Sequence, residues 1–101
     1  MESLRQYAGR LDDAAATLAG AARAIVDLAP PASAVGCNAP GRLGEVGRAL
    51  HATAVTAATA RGREAEVLAA RLADAATGLR AVADGYAETD AAARRRLSGQ
   101  A

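Results

Sequence analysis

The chain has 101 residues, of which 51% are hydrophobic but only 2% aromatic, with no Trp, no Phe and a formal net charge of +1. This length holds one domain at most, and a core without large rings is thin. The twelve basic residues are all arginines dispersed among eleven acidic ones, so no broad positive field exists to hold a phosphate backbone, and nucleic acid is excluded as a partner.

Alanine makes up roughly a third of the chain, far above ordinary usage. It is the best helix former, and β-branched residues are sparse, so the backbone preference is helical throughout and the fold class is all-α. The opening residues, Met1 to Tyr7, lack the basic segment and apolar run of a cleavable secretory signal. No unbroken apolar stretch approaches the roughly 18 residues of a membrane span. Taken alone, these features read as a cytoplasmic protein without a transmembrane segment.

The first predicted helix covers about residues 3–28. Leu4, Leu11, Leu18 and Ile25 recur every seven residues, with Tyr7, Ala14, Ala21 and Leu28 three positions later in each repeat. That spacing predicts a helix–helix seam. Ser3 with Gln6 offers a capping box at the start, and Pro30-Pro31 stops the helix. Arg5, Asp12, Asp13 and Arg23 form a solvated opposite face.

Residues 29–43 read as a loop, with Asn38-Ala39-Pro40-Gly41 as its turn signal. Cys37 is the only cysteine and His51 the only histidine. One of each makes neither a tetrahedral metal site nor a nucleophile–base pair, so Cys37 is read as a loop thiol, with no metal and no cofactor.

The second predicted helix covers about residues 44–97, with a frayed tail over 98–101. Leu43, Val46, Leu50, Thr53, Ala57 and Ala60 hold one phase; Leu68, Leu72, Ala75, Leu79, Val82 and Tyr86 hold another, displaced by one residue. A straight helix drifts about 20° per heptad, so the contact row must shift somewhere, and Arg61 to Glu64 is where an irregularity is expected. The small residues let the two helices approach closely as an antiparallel hairpin. Roughly ten large apolar residues at about 1.5–3 kcal/mol each only match the ordering cost, so the hairpin should seek a second one to complete a four-helix bundle, either another copy or a paralogous partner.

Near the C-terminus, Tyr86 and Asp90 stand one helical turn apart and share a face. On spacing alone Tyr86 is also a seam residue in line with Leu72 and Leu79. Arg94, Arg95 and Arg96 suit the negative end of the helix dipole. The run Gly85-Tyr86-Ala87-Glu88-Thr89-Asp90, followed by Ala91-Ala92-Ala93, resembles the Tyr-x-x-x-Asp export signal of type VII (ESX) secretion substrates. Gly41-Arg42-Leu43-Gly44 is similar to the element that opens the second helix in the EspC-type branch of that Trp-x-Gly/ESAT-like superfamily.

The resemblance implies a small non-enzymatic substrate or co-secreted adaptor, made in the cytoplasm and exported without a cleaved signal. It implies Tyr86 and Asp90 as the signal, with Glu88, Arg94, Arg95, Arg96 and Leu97 as further docking residues for the secretion ATPase. The chain departs from the Trp-x-Gly pattern in having no Trp. The alternative reading is a cytosolic, self-associating helical adaptor in which Tyr86 is packing. No paired carboxylates, phosphate loop or Ser-His-Asp set points to an enzyme.

Overall fold

A computed structural model describes residues 2–100. Helix α1 spans Glu2–Val26, a single 3-10 turn spans Ala32–Val35, and α2 spans Gly41–Gln100. Among the described residues there is no strand, and two helices joined by a bend follow the helical-hairpin pattern.

The helix boundaries differ from the sequence expectation at each end. Ser3 lies inside α1, which already includes Glu2, so it is not the cap; the Glu2 carboxylate instead faces the positive end of the helix dipole. At the other end the backbone tightens, with the Leu28 N–H bonding the Ile25 carbonyl at 3.1 Å, three residues back, ahead of the two prolines. Leu28 is thereby turned out, 77% exposed. Helix α2 starts directly after Pro40 and remains helical through Ser98 and Gly99, where a frayed tail was expected; Ala101 lies outside the described residues. Gly36 (φ 76°) closes the 3-10 turn and Gly41 (φ 66°) opens α2, both in the left-handed region that favours glycine.

Packing divides the chain into two compact units, Met1–Ala16 with Ala70–Ala101, and Thr17–Ala69. In the first, Arg5 donates to Asp84 at 2.9 Å and Arg80 pairs with Asp12 at 2.6 Å. These pairs mark an antiparallel register in which Ala8 lies opposite Ala83 and Ala15 opposite Ala76. All four alanines are buried.

In the second unit Ala22, Ala65 and Ala69 are buried, together with Gly44, Gly47 and Gly62. A Cβ on Gly62 would stand 2.8 Å from Val26 Cγ2 and 3.1 Å from the Ala22 carbonyl oxygen. A Cβ on Gly44 would run into the Ala39 carbonyl, and one on Gly47 into the Val35 carbonyl. Glycine is therefore what admits the bend against α2. Arg48 donates to the Cys37 carbonyl at 3.0 Å and His51 Nδ1 lies 3.1 Å from the Pro30 carbonyl oxygen, tying the loop to the helix.

The helix–helix seam departs in part from where the large residues predicted it. On α2 it runs through Gly44, Gly47, His51, Ala54 and Ala58, then Gly62, Ala65 and Ala69 in the second unit, and Leu72, Ala76, Leu79 and Ala83 in the first. The predicted residues Val46, Leu50, Leu68 and Val82 each sit one position before a seam residue and are exposed. On α1 the Leu4, Leu11, Leu18 and Ile25 row is half-buried, but the row beside it is Ala8, Ala15 and Ala22 rather than Tyr7 and Leu28, which are exposed.

The physical reason is size. Two helices at the close end of the 8–10 Å range leave room at the contact line for Ala and Gly, and larger side chains must splay to its flank. The one-residue phase shift is also resolved. Ala54, Ala58 and Gly62 follow one another at four-residue steps, which moves the row around the helix without a break near Arg61 to Glu64.

Candidate functional site

Tyr86 and Asp90 lie on α2 within the first unit, and their helical geometry is regular. Each continues a row of the seam. Tyr86 follows Leu72 and Leu79 at seven-residue steps, and Asp90 follows Ala76 and Ala83 in the same way. Where those rows carry Leu they are half-buried and where they carry Ala they are buried; at Tyr86 the side chain is 56% exposed, and Asp90 is exposed as well. The pair therefore presents as surface what the same positions bury a turn or two earlier.

At about 100° per residue, the first unit has two unlike edges. Arg5 and Asp12 fall on one side of the Ala8–Ala15 row, and Arg80 and Asp84 fall on the matching side of α2, where the two ion pairs join them. The other edge therefore carries Leu4, Tyr7 and Leu11 from α1, and Leu79, Val82 and Tyr86 from α2. Tyr86 belongs to this apolar edge. Tyr7, on the same edge, holds the Arg10 guanidinium 5.6 Å above its ring centre.

The other predicted docking residues do not form one patch. Glu88 is exposed on the back of α2, away from Tyr86. Arg94, Arg95 and Arg96, consecutive on a helix, fan around it; Arg95 and Arg96 line a shallow groove with Thr89 and Ala92, while Arg94 lies on the far side. Leu97 is exposed in the row of Asp90. The exposed Thr89 hydroxyl bonds back onto its own helix, donating to the Gly85 carbonyl at 3.0 Å.

The ion pairs and the edge they define were not foreseen. Their signal was present in Arg5 and Asp12, seven residues apart, and in Arg80 and Asp84, four apart; both run Arg then Asp, the order in which antiparallel helices bring opposite charges together. Cys37 and His51 are held in the bend of the second unit. Among the described residues no three His, Cys, Asp or Glu side chains converge as metal ligands, and no helix is long and apolar enough to cross a membrane.

No family model, curated protein or solved structure matches the chain.

Proposed function

We propose that the protein is a small non-enzymatic substrate or co-secreted adaptor of a type VII secretion system, exported through Tyr86 and Asp90 on α2. The observation that carries this reading is a tyrosine and a carboxylate one turn apart on a regular helix, both exposed. The Gly-Arg-Leu-Gly element supports it in a second way. Gly41 needs its positive φ and Gly44 its missing Cβ for the bend, so these glycines serve the hairpin that displays the pair. The partners on this reading are a second helical hairpin, giving a four-helix bundle, and the secretion ATPase.

The test is export of Tyr86→Ala from a host with a working type VII system. Because the ring is more than half exposed, far-UV helicity should stay within about a tenth of wild type while export is lost. Export at the wild-type level would refute the assignment.

The second reading, a cytosolic self-associating adaptor, is favoured by one observation, the exposure of Leu43, Val46, Leu50 and Leu68. It requires retention in the cell and unfolding on Tyr86→Ala.

A further inference from the structure

The apolar edge of the first unit has a charged border, and the border has one sign. Projected around each helix, Arg10 on α1 and Arg71 and Arg96 on α2 flank Leu4, Tyr7, Leu11, Leu79, Val82 and Tyr86. All three arginines are exposed, and none is in an ion pair among the described residues. The acids of the unit lie elsewhere. Glu2, Asp13 and Glu88 project beyond the ion-paired edge, Asp74 projects from the back of α2, and Asp12 and Asp84 are held by arginines on that opposite edge. Only Asp90 breaks the pattern, from a seam row rather than the border.

A two-fold contact between copies sets the same patch against itself. Through this edge it would bring Arg10, Arg71 and Arg96 against an equally basic border, and like-charge juxtaposition disfavours a partner. We infer that the edge takes a different chain, a helical partner whose apolar face is bordered by Asp and Glu. This deepens the pairing proposed above by naming the chemistry of the second hairpin, and its link to export rests on that reading. An anionic bilayer would also attract the arginines, but it would repel Asp90, which stands one turn from Tyr86. A protein partner can set a base opposite Asp90.

The chain itself supplies the probe. A variant carrying Arg10→Glu, Arg71→Glu and Arg96→Glu has the same apolar edge with an acidic border, and all three sites are exposed helical positions where Glu is well tolerated. Sedimentation velocity would be run on wild type alone, on the variant alone and on an equimolar mixture, after circular dichroism shows that both are helical. The mixture should associate at least tenfold more tightly than either protein alone. Adding Tyr7→Ser and Val82→Ser to the variant should remove that gain.

Wild type associating with itself as tightly as with the variant would overturn the inference in favour of a second copy. A mixture that shows no gain would overturn it outright. Binding of wild type, but not the variant, to phosphatidylglycerol vesicles, with no gain in the mixture, would transfer the edge to a membrane. These measurements use purified chains, so they stand apart from the export assay; loss of the export reading leaves their outcome untouched.

Discussion

Val82 and Ala83 are neighbours in sequence and opposites in the fold: the valine is 49% exposed and the alanine 0%. Val46 and Gly47 repeat the contrast in the other unit, as do Leu68 and Ala69. In each case the larger and more hydrophobic residue lies outside. Hydrophobicity alone would bury it, so what decides is the width of the gap between two closely approaching helices. The seam is built to exclude bulk, and the bulk that results on the flank is available for something else to cover.

The strongest way to break this contrast is at Gly47. A methyl there meets the backbone of Val35 and Gly36, which cannot yield as a side chain would. Gly47→Ala should cost about 3 kcal/mol despite the better helix propensity of Ala, whereas Val46→Ala next to it should stay within about 1 kcal/mol. Urea denaturation of both variants checks this, and equal losses would mean the bend does not press on Gly47.

A smaller effect belongs to the charged edge. Arg5 and Asp84 pair at 2.9 Å with side chains 43% and 68% exposed, so solvent screens much of the attraction. A double-mutant cycle with Arg5→Ala and Asp84→Ala should give a coupling of about 0.2–1 kcal/mol that shrinks in high salt. A coupling of several kcal/mol would show that the pair holds the unit together, and the alanine seam would lose its primacy.

Much of this was legible in the sequence. The heptads, the stop at Pro30-Pro31, the long second helix and its one-residue change of phase all follow from apolar spacing and helix breakers, whereas its continuity through Gly62 did not. The position of the seam was legible only in part, at Leu72 and Leu79 and along the Leu4 to Ile25 row. Reading by large residues follows Val46, Leu50, Leu68 and Val82, because in most cores size and burial go together. Here Ala8, Ala15 and Ala22 recur every seven residues on α1, and Gly62, Ala69, Ala76 and Ala83 do so on α2. With alanine so abundant, those rows do not stand out from chance repeats.

For the candidate site, the spacing of Tyr86 and Asp90 was readable directly. The edge that Tyr86 shares with Tyr7 and Val82 was hidden, because it depends on which flank the ion pairs of Arg5 and Arg80 occupy.

The most direct trial of the account is to exchange the two neighbours, making Val82→Ala and Ala83→Val in one chain so that composition is unchanged. Thermal or urea unfolding should show a loss of about 1–3 kcal/mol, because valine now overfills the contact line while alanine gains nothing on the flank. A doubly substituted protein as stable as wild type would contradict it, since the line between the helices would then have room that the alanines do not need.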